Sequence, residues 1–349
     1  MKVLVIRFSS IGDIVLTTPV LRCLREQRPD VQVHYLTKLA FAPILGNNPH
    51  IHQIHYMAGE VDEMIPELQK EKFDLIIDLH NNLRTLRVKK ALKVPARSFS
   101  KLNIQKWLLT NIKLNMMPDI SIVDRYMDTV SSLGVKNDGK GLDHFLPAGK
   151  GLGNGDIPMS HWGGYVGCVI GGSMNTKKLP VEQWRKFCAE VPFPVMLLGG
   201  PEDREAGNEI ASLDPIKIYN SCGKFDLNES AELVKISRVI VSNDTGLMHI
   251  AAAYGKPIIS LWGNTSPEMG MFPYYGYNNL KSRVAPQSVI MEKKEVGCHP
   301  CSKIGYDKCP RKHFRCMNEL DMHQVSESVI RMWTTPASGN KLADQNKPQ

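Results

Sequence analysis

Apolar and polar positions follow a strand-then-helix rhythm from the first residues onward. Residues 3–8 form an apolar run of strand length, and 14–27 put Val20, Leu21 and Leu24 on one side of a helix. The pattern repeats with strands predicted at 31–37, 51–57 and 73–79, and helices near 61–71, 84–93, 104–114 and 121–133. Residues 147–155, PAGKGLGNG, have no periodicity and read as a linker. Beyond them the rhythm restarts, with strands at 165–170, 195–198, 216–219, 239–242 and 257–262. Helices at 181–191, 201–213, 227–237 and 245–254 fall between. Such alternation predicts an α/β protein of two doubly wound, Rossmann-like domains facing across a cleft, spanning 1–150 and 156–333. The polar tail 335–349 is expected to fray.

The chain has 349 residues and 42% hydrophobic content, a balance that excludes wholesale disorder. No apolar run approaches the roughly 18 residues needed to cross a bilayer. Arg7 interrupts the first strand too early for a secretory signal, so a cytoplasmic location is expected. Lys and Arg total 43 against 35 Asp and Glu, and residues 1–150 hold 21 of the bases against 15 acids. From Leu79 to Pro118 there is no carboxylate, while Arg84, Arg87, Lys101, Lys106 and Lys113 all fall inside. Solvated faces normally mix both signs, which favours an acidic partner: nucleic acid, anionic lipid or a phosphorylated glycan. Trp107, Leu108 and Leu109 sit among these bases either as core or as a membrane-surface segment.

Ligands of doubly wound sheets bind beyond the carboxyl ends of the strands, so the loops there carry the candidate chemistry. Ser9-Ser10-Ile11-Gly12-Asp13 follows the first strand. Gly12 permits close backbone approach, and Asp13 is either a helix cap or a general base. Gly171-Gly172-Ser173-Met174-Asn175-Thr176-Lys177 opens the second domain with exposed N–H groups, hydroxyls and a cation, the makings of an anion site or of a polar turn. Neither a P-loop nor a G-x-G-x-x-G fingerprint follows any strand, which disfavours hydride transfer. In Asn243-Asp244-Thr245-Gly246-Leu247-Met248-His249, the N–H groups of Thr245 and Gly246 would hold a diphosphate at a helix N-terminus, with Asp244 accepting from sugar hydroxyls. His249, read alone, is a partly buried histidine bonded to backbone.

The segments SSIGDIVLTTPVLRCLR, GGSMNTKKLPVEQW, LLGGPEDRE and VSNDTGLMHIAAAYGKPIISLWGNTSP, taken in order, resemble glycosyltransferase family 9, the heptosyltransferases of the lipopolysaccharide inner core. The resemblance implies a GT-B architecture and an inverting, metal-independent reaction with ADP-heptose as donor. It implies Asp13 as general base and Ser10, Gly12, Ser173 and Lys177 as donor-binding, with Asp244, Thr245, Gly246 and His249 as the C-terminal donor motif. Leu179 stands where many members carry an aromatic residue. The acid-free stretch then faces an anionic lipopolysaccharide core at the inner-membrane surface, with Arg84 and Arg87 as acceptor-binding residues.

Cys298, Cys301, Cys309 and Cys316 form a C-x-x-C pair plus two thiols, interleaved with His299 and His313. They read either as a structural zinc site in a Cys-rich segment, 298–316, or as reduced or paired cysteines. Two rival functions share these features. A GT-B nucleotide-sugar epimerase would keep the architecture without an acceptor. A nucleic-acid-binding protein would use the basic stretch and the cysteines, but the spacing is irregular and aromatics are scarce, so no nucleic-acid partner is expected.

Overall fold

The apolar runs become two all-parallel sheets. A computed structural model describes residues 1–149, 151–153, 155–276 and 288–335. In the first sheet, strands β1 (Lys2–Ile6), β2 (Gln32–Lys38), β3 (Gln53–Met57), β4 (Leu75–Asp78) and β5 (Ala96–Ser98) lie in the order β3-β2-β1-β4-β5. In the second, β6 (Val166–Val169), β7 (Val195–Leu198), β8 (Ile218–Asn220), β9 (Val239–Asn243), β10 (Ile258–Trp262) and β11 (Ser288–Glu292) lie in the order β11-β10-β9-β6-β7-β8. Every pairing is parallel. The central strands β4, β6, β9 and β10 are buried along their whole length. Burial on both faces by helices is the reason a continuous apolar run, rather than alternation, marks them.

Several predicted helices differ in detail. The predicted helix 14–27 is two helices, Ile11–Val15 and Thr18–Gln27, with Thr17 as the second N-cap and Pro19 in its first turn. Proline tolerates that position because the N–H it lacks has no intrahelical partner there. The stretch 104–114 is a short helix, Asn103–Trp107, running into a π-turn, Leu108–Ile112. Helix Met322–Thr334 packs on helix Val181–Glu190 and on β9 and β10, completing the second domain. The fraying expected beyond 335 lies outside the described residues, as do Lys150 and Asn154 of the predicted linker.

The carboxyl ends of both central strands point at the same cleft. Helix Ile11–Val15 follows β1, helix Gly246–Ala253 follows β9, and the two N-termini meet. A Cβ on Gly12 would lie 2.5 Å from His249 Cδ2, and one on Gly246 would lie 2.6 Å from Ile11 Cβ. Glycine at both positions is what lets the domains touch there. No described helix is long and apolar enough to cross a membrane.

Candidate active site

Two cavities share the cleft. One, of about 520 Å³, is lined by Gly12, Gly171, Gly172, Gly199, Gly200 and Phe225, and by Thr245, Gly246 and His249. The other, of about 420 Å³, is lined by Arg7, His80, Lys101, Lys106, Lys303 and Thr265. Ser10, Asp13, Ser173, Lys177 and Asp244 line both, so they form the partition.

Asp13 sits at the third residue of its helix in a capping box. Its Oδ2 accepts from the Ser10 hydroxyl at 2.8 Å and the Ser10 N–H at 3.4 Å. Its Oδ1 meets Arg7 Nη2 at 2.5 Å. Arg7 is itself fixed by donating to Ser9 O and Leu79 O, each at 2.7 Å, and to the Tyr126 hydroxyl at 3.1 Å. Burial pushes the Asp13 carboxyl up, but the Arg7 cation, the Ser10 hydrogen bonds and His249 outweigh it and hold the group below the ordinary carboxylate range. Capping and a place in the wall between the two cavities thus coincide in one residue, which stays ionised at neutral pH. Arg7 carries no motif, and its one sequence signal is a charge at the end of an otherwise apolar strand.

Across the cleft, Lys177 Nζ meets Asp244 Oδ2 at 2.6 Å, and the Thr265 hydroxyl donates to the same oxygen at 3.0 Å. Asp244 therefore orients a lysine in the partition. The Lys177 loop is held from two sides. Thr176 and Tyr306 exchange bonds, with Thr176 Oγ1 donating to Tyr306 O and Tyr306 N–H donating to Thr176 Oγ1, both at 2.8 Å. Buried Asn243 donates to the carbonyls of Val169 and Ile170 at 3.2 Å and accepts from Leu179 N–H at 3.1 Å. Asn243 was not singled out in the sequence, although a polar residue closing a buried strand is the available signal.

Thr245 is the N-cap of helix Gly246–Ala253 in an extended conformation and makes no side-chain cap bond, so the first N–H groups open toward the larger cavity. His249 is buried, and its Nδ1 has no protein partner. Burial pushes it down to about 4, despite Asp244 and Asp13 nearby, so the ring is neutral. The backbone bond expected of His249 is not made through Nδ1. In the smaller cavity, burial and then Arg125 push Lys106 down to about 8.

Arg84 and Arg87 line neither cavity. Arg87 pairs with exposed Asp62 at 3.0 Å, and Arg84 lies 5.4 Å from the centre of the Phe8 ring. Their helix, Leu83–Leu92, follows β4; the cations that line the smaller cavity are Arg7, Lys101, Lys106, Lys177 and Lys303. The four cysteine thiols lie near one another: after burial, Cys298 and Cys309 raise Cys301, and Cys301, Cys298 and Cys309 raise Cys316. Cys298 Sγ is 3.6 Å from His313 Nε2, but among the described residues the one group of three possible ligands within 4.8 Å is His34, His55 and Glu71. A tetrahedral zinc site would draw the thiols closer together. The segment also buttresses the Lys177 loop through Tyr306.

Two parallel-sheet domains whose strand ends converge on a cleft with an open helix N-terminus make a GT-B architecture. The sequence profile of glycosyltransferase family 9 (heptosyltransferase) matches residues 62–303. Lipopolysaccharide heptosyltransferase 2 of Salmonella typhimurium is 25% identical over 293 residues, covering 77% of this chain and 84% of that protein. Among solved structures, the family 9 glycosyltransferase of Veillonella parvula superposes with a TM-score of 0.70 at 19% identity, covering 95% of this chain and 97% of that one. E. coli ADP-heptose lipopolysaccharide heptosyltransferase II gives 0.65 at 20% identity, covering 95% and 98%. The chain belongs to glycosyltransferase family 9.

Proposed function

We propose that the protein moves heptose from ADP-heptose to a lipopolysaccharide inner-core acceptor, inverting the anomeric centre without a catalytic metal, at the cytoplasmic face of the inner membrane. The observation that carries this reading is the position of Asp13 in the wall common to both cavities. The names of the E. coli and Salmonella relatives supply the donor and the acceptor class.

In this reading the larger cavity takes ADP. The diphosphate lies on the N–H groups of Thr245 and Gly246 and against Ser173 and Lys177, with Ser10 and Gly12 closing over it and the nucleoside running toward Gly199, Gly200 and Phe225. His249 Nδ1, buried without a protein partner, gains a bond to the donor. The acceptor enters the cationic cavity, where Lys101 and Lys106 take the role the sequence suggested for Arg84 and Arg87. An acceptor hydroxyl oxygen attacks the anomeric carbon and its proton passes to Asp13. The bond from that carbon to the diphosphate oxygen breaks on the opposite face, and ADP departs with the electron pair. A carboxylate held below its usual range is a weak base, so the proton moves late, once the attacking oxygen has become acidic by forming its new bond. Lys177 and the helix N–H groups take up the charge growing on the leaving group, work that a metal does in other transferases.

The test is Asp13→Asn. It keeps the shape but cannot take a proton, so kcat for heptose transfer should fall by at least about 100-fold while ADP-heptose affinity measured by calorimetry stays near the parent value. Turnover retained in that variant would reduce Asp13 to a helix-capping residue.

A further inference from the structure

The acid-free segment does two things at once that the transfer reaction alone does not require. Asn103 and Lys106, one helical turn apart, line the cationic cavity. The neighbouring residues on the other side of the same helix, Ile104 and Trp107, are 73% and 56% exposed. The chain then continues through Ile112, Leu114 and Met116, each at least half exposed. Apolar side chains scattered singly over a surface need no explanation, but five within thirteen residues beside a substrate cavity do.

This ridge is tied to the second domain. Lys113 Nζ donates to the carbonyls of Cys298 and Pro300 at 2.9 and 2.7 Å, and Asn115 Nδ2 donates to Glu268 Oε2 at 2.7 Å. The loop it grips adds Ile304, 56% exposed and on the wall of the same cavity, together with exposed Lys303, Lys308 and Arg311. Lys303 is near enough to Lys101 and Lys106 to lower both, and Arg311 does the same to Lys113. The cations therefore surround the apolar ridge with few carboxylates between them, so the surface matches a partner that is negative outside and apolar inside.

We infer that the ridge Ile104–Met116, with the cationic loop 303–311, docks the enzyme on an anionic phospholipid bilayer and turns the mouth of the acceptor cavity toward it. The apolar side chains enter the headgroup boundary while the cations meet lipid phosphates. The acceptor's sugar then reaches Lys106 while its lipid stays in the membrane. The inference rests on the proposed function only for the acceptor's being lipid-anchored.

The experiment is vesicle co-sedimentation with the full chain. Vesicles of phosphatidylethanolamine with one-third phosphatidylglycerol should bind the protein, and pure phosphatidylcholine should not, with binding falling as salt rises. The double variant Ile104→Ser, Trp107→Ser should bind at least about tenfold more weakly at unchanged thermal stability. Lys303→Gln and Arg311→Gln should each cost about fivefold. The Ile104/Trp107 variant should also lose transfer to acceptor embedded in those vesicles, yet keep parent transfer to the delipidated oligosaccharide in solution. Equal binding to both vesicle types, no binding, or equal loss with embedded and soluble acceptors would each overturn the docking surface. Failure of the parent protein on the soluble acceptor would instead count against the proposed reaction and leave vesicle binding to decide the docking.

Discussion

Replacing Gly12 by alanine adds one methyl group at the point where the two domains meet. Its carbon would stand 2.5 Å from His249 Cδ2 and 3.3 Å from Nε2, where non-bonded carbons normally keep about 3.5 to 4 Å. The overlap is about 1 Å, and His249 is buried and has little room to retreat. Overpacking of that kind costs about 1–3 kcal/mol. Here the cost falls on domain contact rather than on either fold, because within its own helix alanine is favoured over glycine by roughly 0.5–1 kcal/mol. The two effects have opposite signs, which makes the outcome diagnostic. If transfer needs the domains together, kcat/KM should fall roughly 5- to 160-fold, since each 1.36 kcal/mol is a factor of ten. The melting temperature should hold or rise, and the radius of gyration from solution scattering should increase. Gly246→Ala, whose Cβ would meet Ile11 Cβ and Cγ2 at 2.6 Å, should behave alike. Parent kcat/KM in both variants would refute the argument that this contact builds the site. A loss matched by a lower melting temperature and no scattering change would refute the assignment of the cost to domain contact.

Arg7→Gln removes the largest of the influences that together outweigh burial at Asp13, so the Asp13 carboxyl should rise and the acid limb of the kcat/KM profile should move to higher pH; an unmoved limb shows that this pair does not set the base. Lys106, pushed down to about 8, is charged below that pH and neutral above it, so kcat/KM for an anionic acceptor should decline as pH climbs through about 8, and Lys106→Met should abolish that limb and leave donor affinity alone. Asn243→Ala strands buried backbone groups, each worth about 1–3 kcal/mol, so thermal stability should drop and the donor KM should rise together; a stable variant with parent KM would show that the Lys177 loop holds itself. Incubation with EDTA should leave the transfer rate unchanged, and a rate restored only by added Mg²⁺ would place the leaving-group charge on a metal instead.

Much of the fold was legible because the sheets are buried on both faces. β1, β4, β6, β9 and β10 are mainly apolar runs; β4 ends in Asp78 and β9 in Asn243, while β1, β6 and β10 soon give way to serine or glycine, and these ends are the site loops. The edge strands β3 and β8 carry enough apolar signal to be predicted at 51–57 and 216–219, but the edge strands β5 and β11 escaped. All three residues of β5 are exposed, so no apolar signal marks it, and β11 is only partly buried. Lys177, Asp244, Thr245, Gly246 and His249, predicted to bind the donor, converge on one cavity because each follows a central strand in sequence. Arg7 and Asn243 were hidden for the complementary reason: each is a polar residue beside a strand's apolar run, and each is held by neighbours distant in sequence, Leu79 72 positions from Arg7 and Leu179 and Val169 64 and 74 positions from Asn243. Arg84 and Arg87 mark the limit of charge counting. A run of bases gives the sign of a face but not its direction, and only the fold separates Arg84 and Arg87, which line neither cavity, from Lys101 and Lys106, which line the smaller one.

The meeting of Gly12 with His249 also bears on economy of the activated sugar. In the proposed reaction, base and leaving-group cradle belong to different halves of the chain, so neither half alone is a complete catalyst. While the halves stand apart, a loaded donor faces no aligned carboxylate, and a stray solvent molecule finds nothing to activate it as a nucleophile. Wasteful breakdown of the sugar nucleotide is thereby suppressed by the same two missing side chains that permit the halves to close.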